Sequence, residues 1–197
     1  MNVINPATEE IITTIQEDNE AFLALKFERL KISAKSWSAV PVQRRAEILE
    51  KFVSLLKENT EELASILSSE MGKPVQQSRN EINGASAKAT WLAQHATQYL
   101  SEEIMSVSDQ LTEKIVYEPL GIICNISAWN YPYNVGVNIF VPALLAGNAV
   151  MYKPSEYATL TGLQIGQYLV QAGVPEEVFQ VAIGEGNVGK ALLDLPF

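Results

Sequence analysis

The sequence LGIICNI at residues 120–126 is a near-continuous apolar run, which is typical of a strand buried on both faces of a parallel sheet. Two further short apolar segments follow it, AVMY at residues 149–152 and VFQVAI at residues 178–183. The segments between and after these strands have helical patterns, at residues 137–146, 160–171 and 188–193. This alternation of strands and helices predicts an α/β fold with a parallel sheet and right-handed crossovers.

Amphipathic helices precede the sheet. Asp18 or Asn19 is predicted to cap a first helix that runs to about Ser36. A second helix is predicted over residues 41–69, ended by the sequence MGKP at residues 71–74, in which glycine suits the C-cap and proline stops propagation. A third helix carries its apolar residues on one stripe, formed by Ile82, Ala85, Ala89, Leu92, Ala96 and Leu100.

The sequence predicts three parts along the chain. Residues 1–106 are helical, residues 107–118 contain a strand at about Lys114–Tyr117, and residues 119–197 form the parallel sheet. Three parallel strands alone leave a buried-type strand at or near an open edge. The sheet is therefore predicted to be incomplete, and either more chain or another subunit would cover that edge.

Composition and charge exclude several classes of protein. The 197 residues carry a net charge of -9, from 23 acidic and 14 basic residues, which opposes phosphate backbones and argues against nucleic-acid binding. One cysteine, Cys124, and one histidine, His95, can form neither an intrachain disulfide nor a metal cluster. Met1–Glu10 lacks the pattern of a signal peptide, and the longest apolar run, Val135–Leu145, is too short to span a bilayer. We therefore expect a cytoplasmic protein with no metal, membrane or nucleic-acid partner.

Residues 184–189, GEGNVG, match the G-x-G-x-x-G fingerprint of dinucleotide sites. They follow a predicted strand and open a predicted helix, where glycines allow a close approach of the backbone and the helix N-terminus favours an anion. The acidic partner expected about 20 residues later falls beyond residue 197. On these residues alone, a glycine-rich turn without a ligand explains the match equally well.

The sequence SAWNYP at residues 127–132 directly follows the first predicted strand. Loops at the carboxyl ends of parallel strands are where such sheets bind ligands. The side chain of Asn130 can donate a hydrogen bond to a developing oxyanion. Taken singly, this loop is more simply explained as an Asx-type turn packed by aromatic residues.

The sequence KPSE at residues 153–156 follows the second predicted strand at the same sheet edge. Lys153 and Glu156 can bind ribose hydroxyls from one loop, although a solvated loop in which Ser155 or Thr159 caps the next helix is the simpler explanation. Because this loop, the SAWNYP loop and the glycine turn follow consecutive strands at one edge, one extended ligand can touch all three.

Six segments, in this order, resemble the aldehyde dehydrogenase superfamily and together cover essentially the whole chain. They are NPATEE at 5–10, EMGKP at 70–74, EPLG at 118–121, WNYP at 129–132, PALLAGN at 142–148 and KPSE at 153–156. The resemblance implies the N-terminal portion of an NAD(P)-dependent aldehyde dehydrogenase, with N-terminal helices plus an incomplete Rossmann-like parallel sheet of a dinucleotide-binding domain. It further implies that residues 107–118 belong to an oligomerisation arm, that the full-length protein is a homodimer or tetramer, and that the catalytic domain is absent.

The resemblance implies oxidation of an aldehyde substrate to a carboxylic acid with NAD(P)+, by a cysteine thiolate and a glutamate that activates water. Asn130 falls on the family's oxyanion-hole asparagine. The implied cofactor contacts are Ile126, Ser127, Trp129, Lys153, Ser155, Glu156, Gly186 and Gly189. The implied lining of the substrate channel is Tyr131, Val135 and Asn138.

The chain departs from the family pattern in several places. Ala128 replaces the usual proline before Trp-Asn, residues 157–159 lack the commoner Thr-Pro, and the glycine turn is about one residue short. Asn138 stands where semialdehyde-oxidising relatives often carry an arginine, so that position offers no clamp for a substrate carboxylate. This departure argues against succinate semialdehyde as the substrate.

The resemblance implies that the nucleophilic cysteine and the base glutamate come after residue 197. Cys124 lies within a predicted buried strand, where a thiol has a raised pKa and is inert, so the chain alone is predicted to be inactive. The carboxylate of Glu156 favours NAD over NADP, although Lys153 and Ser155 leave NADP possible. Two alternatives stay open: a non-catalytic nucleotide-binding or oligomer-associating remnant, and an acyl-phosphate reductase, against which the WNYP and KPSE segments argue.

Overall fold

The computed structural model describes all 197 residues, and its first elements form a short hairpin. Strand β1 (Asn2–Ile4) pairs antiparallel with β2 (Ile11–Thr14). The sequence predicts no strands here, because both segments are short and mostly exposed and therefore carry no buried apolar run. The hairpin bears on function because its Ile4 and Pro6 line a cleft beside the candidate site.

Four helices follow, α1 (Glu20–Ser38), α2 (Val42–Glu58), α3 (Thr60–Met71) and α4 (Val75–Tyr99). Of the two predicted caps for α1, Asn19 performs the role, since its Oδ1 accepts a hydrogen bond from the backbone N–H of Phe22 at 2.9 Å. Asp18 is used elsewhere, at the end of the sheet.

The single helix predicted over residues 41–69 is wrong, because the structure has two helices there. Asn59 separates them, and its Nδ2 donates to the carbonyl of Leu55 at 2.8 Å. A side-chain amide that bonds the backbone in this way competes with the helical ladder. The predicted end is confirmed, since Gly72 is the C-cap of α3 with φ 71°, a left-handed conformation that glycine adopts at little cost.

An exposed antiparallel hairpin connects the helices to the sheet. Its strands are β3 (Glu103–Val107) and β4 (Thr112–Ile115). The strand predicted at Lys114–Tyr117 therefore lies earlier in the chain, and its partner β3 was not predicted. Neither strand has a buried residue, so no stripe marks them in the sequence. The exposed apolar side chains of the hairpin are Ile104, Met105, Val107, Leu111 and Ile115.

The parallel sheet has the strand order β5 (Ile122–Ile126), β6 (Ala149–Lys153) and β7 (Phe179–Val181). The predicted run of three consecutive parallel strands is confirmed. Every residue of the central strand β6 is buried. Strand β5 has one edge unpaired within the chain, and most of its residues are only half-buried.

Each strand leads into a helix: α5 (Pro132–Leu145), α6 (Thr159–Ala172) and α7 (Gly186–Leu193). Helix α5 begins earlier than predicted because Pro132 suits the first helical position. Helices α5 and α6 pack on the sheet, α2, α3 and α4 pack outside them, and α1 packs directly on the strands. One continuous cluster of 39 buried apolar residues joins these layers. None of the helices has both the length and the apolar character needed to cross a bilayer.

Candidate functional site at the carboxyl edge of the sheet

The loops that follow β5, β6 and β7 emerge at the same edge of the sheet. Ile126 pairs with Lys153 in the parallel register, and the backbone N–H of Ser127 donates to the carbonyl of Lys153 at 2.9 Å. On the other side of β6, the N–H of Ala182 donates to the carbonyl of Tyr152 at 2.8 Å. The structure therefore brings the three polar segments singled out in the sequence to one edge.

Lys153 lies at the centre of this edge, as the last residue of β6. It is 3% exposed, and its Nζ donates to the carbonyl of Pro154 at 3.1 Å and lies 3.9 Å from Oε2 of Glu156. Burial lowers the pKa of Lys153, and the Glu156 carboxylate opposes that change. Gly189 of α7 adjoins the same side chain, since a Cβ at Gly189 would lie 3.5 Å from Cδ and Cε of Lys153. Lys153, Glu156 and Gly189 thus share one small region.

Ser155 and Glu156 begin a 3-10 turn that leads into α6. The hydroxyl of Ser155 donates to Oε2 of Glu156 at 3.2 Å and accepts from the N–H of Tyr157 at 3.4 Å. Ser155 therefore caps the 3-10 turn. The prediction that Ser155 or Thr159 caps the following helix is wrong, because α6 begins at Thr159 with Ala158 at its N-cap position and no side-chain cap. Glu156 remains half-exposed, and its Oε1 has no hydrogen bond within the chain, so this oxygen is free to accept one from a ligand.

The glycine turn connects β7 to α7. Gly184 has φ 148°, and a Cβ there would lie 2.4 Å from Cγ2 of Val188, so the backbone requires glycine at this position. Gly186 is the first residue of α7, and a Cβ there would meet nothing within 4 Å. Gly186 therefore leaves open space at the start of the helix.

Asp18 anchors the approach to this turn. Its Oδ2 accepts from the N–H of Ile183 at 2.8 Å, and its own N–H donates to the carbonyl of Ile183 at 2.8 Å. Lys26 forms an ion pair with Asp18 and donates to the carbonyl of Val181 at 2.7 Å. This largely buried network fixes the end of β7 against α1.

Trp129, Asn130 and Tyr131 are exposed at the tip of the loop after β5. The side-chain amide of Asn130 makes no hydrogen bond within the chain, so both of its amide hydrogens are available to a ligand. Trp129 lines an apolar cleft of about 490 Å³, whose other lining residues are Ile4, Pro6, Glu70, Met71 and Tyr157.

The remaining predicted residues lie at the end of β5 and at the start of α5. Tyr131 is the residue before α5, and Val135 and Asn138 share one face of the first part of that helix; Tyr131 and Asn138 are exposed, and Val135 is half-buried. At the end of β5, Ile126 is exposed and Ser127 is buried, and the Ser127 hydroxyl has no hydrogen-bond partner. The channel and cofactor roles of these residues stay predictions.

Cys124 is less buried than its predicted position in a buried strand implies. Cys124 lies in β5, which is an edge strand of the sheet, and it is half-buried. The expected direction of its titration is confirmed, because burial raises the pKa of the Cys124 thiol. Cys124 lies within the strand, not in the loop that carries Asn130.

The aldehyde dehydrogenase family model matches residues 1–196. The chain belongs to the aldehyde dehydrogenase family. A betaine aldehyde dehydrogenase of Vibrio vulnificus (strain YJ016) is 34% identical over 193 residues, which cover 98% of this chain and 40% of that protein. The chain thus spans 40% of the length of this curated relative.

Solved structures of other family members superimpose on all or nearly all of this chain. A protein of Sinorhizobium meliloti 1021 complexed with NAD, described as a methylmalonate-semialdehyde dehydrogenase, has a TM-score of 0.94 and 29% identity, and the match covers 100% of this chain and 40% of that one. A glyceraldehyde-3-phosphate dehydrogenase of Methanocaldococcus jannaschii DSM 2661 complexed with NADP has a TM-score of 0.91 and 27% identity, covering 98% and 43%. The neighbours therefore include both an NAD and an NADP complex.

Two buried glutamates that were not predicted as site residues, Glu70 and Glu81, hydrogen-bond the starts of the helices that follow β5 and β6. Glu70 holds the start of α6, since Oε1 accepts from the N–H of Leu160 at 2.6 Å and Oε2 accepts from the N–H and hydroxyl of Thr161, both at 3.0 Å. Burial raises the pKa of Glu70 to about 7, and these hydrogen bonds oppose the rise. Glu81 holds the start of α5, where it accepts from the N–H of Tyr133 at 2.8 Å.

One signal in the sequence marks Glu81. It lies four residues before Ala85, on the apolar stripe of the third predicted helix, so the helical pattern places a charged residue facing inward. Buried carboxylates need partners, and the N-terminus of a helix offers unpaired N–H groups. The sequence does not indicate which helix would supply them.

Proposed function

We propose that this chain carries the nucleotide-binding loops and the oxyanion donor of an enzyme that oxidises an aldehyde to a carboxylic acid with NAD(P)+. The observation that carries the proposal is the meeting of three loops at one sheet edge, where the Lys153 side chain lies beside Gly189 and its Nζ lies 3.9 Å from Oε2 of Glu156. Such an edge, at the carboxyl ends of parallel strands, is where open α/β sheets bind nucleotides.

The residues present fit a dinucleotide. The open space at Gly186 and the missing side chain at Gly189 leave room beside Lys153 for a nucleotide to approach the backbone. Lys153 and the free Oε1 of Glu156 would hold the hydroxyls of a ribose. Trp129 would line the neighbouring apolar cleft of about 490 Å³. When bound, the nicotinamide accepts a hydride from the substrate.

Asn130 would act on the aldehyde itself. Its side-chain amide is exposed and has no partner within the chain, so it can donate to the aldehyde oxygen as negative charge develops there. Tyr131 before α5, with Val135 and Asn138 on the first part of α5, would line the approach to this amide. The proposed substrate is an aldehyde without a carboxylate near Asn138, because no arginine stands at that position.

We propose that the nucleophilic cysteine and the water-activating glutamate come from the part of the relatives that this chain does not match, so that the chain alone is inactive. Cys124 is unsuited to the role, since it is half-buried within an edge strand and burial raises its pKa. The exposed apolar hairpin β3–β4 is proposed as the contact of a homo-oligomer, which concentration-dependent sedimentation of the chain would test.

A preference for NAD over NADP follows from Glu156. Its unpaired Oε1 can accept a hydrogen bond from a ribose 2′-hydroxyl, whereas the carboxylate repels a 2′-phosphate. Lys153 offsets part of that repulsion, because its Nζ lies only 3.9 Å from the carboxylate. We therefore propose NAD as the cofactor, with NADP as a weaker ligand.

A titration of the isotope-labelled chain with NAD+, followed by NMR, tests the proposal. We expect a Kd of about 1 mM, because the strands present form only part of a nucleotide-binding sheet. The shifted resonances should belong to residues 126–131, 153–156 and 184–189. Lys153→Met should abolish the shifts, and Lys88→Met, an exposed lysine on α4, should leave them unchanged.

The titration has a clear negative outcome. If about 10 mM NAD+, ten times the expected Kd, moves no resonance of these three loops, the nucleotide site is refuted. Shifts confined to other surfaces would refute it equally. A non-catalytic nucleotide-binding role predicts the same shifts. To distinguish this role from the enzymatic one, the segment of the Vibrio vulnificus betaine aldehyde dehydrogenase that this chain does not match is added as a second polypeptide, together with NAD+ and an aldehyde. Formation of NADH favours the enzymatic role.

A further inference from the structure

Lys73 lies in the short connection between α3 and α4 and reaches across to the loop that carries Asn130. Its Nζ donates to the backbone carbonyl of Asn130 at 3.0 Å and lies 4.8 Å from the centre of the Tyr131 ring. Gly72 sets the direction of this connection, since it has φ 71° and a Cβ there would lie 2.8 Å from Cγ of Pro6. The ammonium group is therefore delivered to the loop by the backbone turn at Gly72.

Glu81 holds Lys73 and the same loop together. Its Oε2 accepts from Nζ of Lys73 at 2.6 Å, and its Oε1 accepts from the N–H of Tyr133 at 2.8 Å. The Glu81 side chain is fully buried, and that of Lys73 is 12% exposed. Both hydrogen bonds of Glu81 are charge-assisted, because its carboxylate is the acceptor in each. The Glu81–Lys73 pair is also weakly screened, because it is so little exposed to water.

These contacts hold the loop by its backbone and leave its functional side chain free. Lys73 holds the carbonyl of Asn130, and Glu81 holds the N–H of Tyr133, so the segment between them is fixed at both ends. The amide of Asn130 takes no part in this network. A donor that acts on a developing oxyanion must be oriented before the reaction, which is the condition this network supplies.

We propose that Lys73 and Glu81 are positioning residues for Asn130. The EMGKP segment, which the sequence analysis used only as the end of a helix and as a mark of resemblance, thereby acquires a direct link to the candidate site. The inference rests on the proposed function, since it treats Asn130 as the oxyanion donor. Removal of the Lys73 ammonium should free the loop without unfolding the sheet.

NMR of the isotope-labelled 197-residue chain tests the proposal, with three readouts and no ligand. Lys73→Met keeps the length of the side chain and removes its charge and donors. The carbonyl carbon of Asn130 should move upfield when it loses the ammonium donor. Backbone order parameters of Asn130 and Tyr131 should fall from about 0.85 to below about 0.6. Hydrogen exchange at the N–H of Tyr133 should rise about tenfold, as expected for losing the support of a charged hydrogen bond.

Companion variants separate positioning from a general loss of stability. Lys73→Arg restores a donor and a cation, so it should recover much of the carbonyl shift and of the loop order. Glu81→Gln keeps an acceptor for Tyr133 but removes the carboxylate that orients Lys73, so the Asn130 carbonyl should again move upfield. Lys88→Met, on the exposed face of α4, should change none of the readouts.

An unchanged Asn130 carbonyl and unchanged loop order in Lys73→Met would overturn the proposal. So would a rise in exchange that is as large at Val150 and Tyr152 in β6 as at Tyr133, because that pattern means global destabilisation. These measurements need no nucleotide, so their failure removes the positioning role alone. A failed NAD+ titration removes the proposed function and leaves the loop geometry unaffected.

Discussion

Replacement of Glu70 by glutamine should make the stability of the chain less sensitive to pH. Burial raises the pKa of Glu70 from 4.5 to about 7 in the folded chain. In the unfolded chain the carboxyl is in water and titrates near its ordinary value. The folded state therefore binds this proton more tightly, and the stability it contributes is complete below the unfolded pKa and is lost as the pH rises through about 7.

The size of the effect follows from this rise in pKa. Each pKa unit is worth about 1.4 kcal/mol, so a rise from 4.5 to about 7 corresponds to about 3 kcal/mol. About 2 kcal/mol of this is lost between about pH 5 and about pH 8. Because Glu70 is only 4% exposed, solvent screening takes little from this figure. The glutamine variant also loses an acceptor for Leu160 or Thr161, which lowers stability by about 1 kcal/mol at every pH.

The assay is urea unfolding of both proteins at several pH values between about 5 and 8, at constant ionic strength and followed by circular dichroism. The informative quantity is the difference in unfolding free energy between wild type and variant at each pH, since the other titrating groups are common to both. With a slope of about 2 kcal/mol per molar urea, the wild-type midpoint should fall by about 1 M more than that of Glu70→Gln. Glu62→Gln, an exposed position on the same helix, serves as the control.

A difference between wild type and Glu70→Gln that stays constant across this pH range would refute the reasoning. It would mean that the N–H groups at the start of α6 stabilise the Glu70 carboxylate enough to cancel the cost of burying it. A matching pH dependence in Glu62→Gln would refute it as well, because that position has no buried contact to lose.

Three further outcomes are expected. Glu156→Gln should narrow the ratio of NAD+ to NADP+ affinity by about tenfold in calorimetric titrations, and an unchanged ratio would remove its role at the ribose. Asp18→Asn should lower the unfolding free energy by about 3 kcal/mol in urea, since it breaks a largely buried ion pair, whereas Glu28→Gln in an exposed pair should change it by less than about 1 kcal/mol. Gly184→Ala should lower Tm by several degrees, because its Cβ would meet Val188 at a left-handed φ. Gly186→Ala, in open space, should leave Tm nearly unchanged, and equal losses in the two glycine variants would contradict this account.

The strands of the sheet could be predicted because their signal is local. A strand buried on both faces is apolar at nearly every position, and β6 is buried throughout. The parallel pairing of the strands could be predicted as well, since consecutive strand-helix units place their loops at one edge of the sheet. The short strands β1, β2 and β3 were missed for the same reason, because a strand that buries at most one residue leaves no pattern.

The break between α2 and α3 shows a second limit. Leu56 and Leu63 are both fully buried, at a spacing that continues one apolar stripe across the break. At the break itself, the side chains of Asn59 and Thr60 donate to backbone carbonyls at the end of α2 and so compete with the helical ladder. The spacing of apolar residues indicates which face of a segment is buried. It does not indicate a change in backbone direction when the same face stays in the core on both sides of the break.

The sequence by itself determined the fold class, the three loops at the sheet edge and the family, because burial pattern and loop composition are written along the chain. Only the tertiary structure decided which groups meet: Glu70 with the start of α6, 90 residues away, and Lys73 with the carbonyl of Asn130, 57 residues away. A buried charge must find a partner, but the partner is whichever group the packing of the layers brings within about 3 Å. That choice is set by the positions of whole helices in space, which no local spacing of residues encodes.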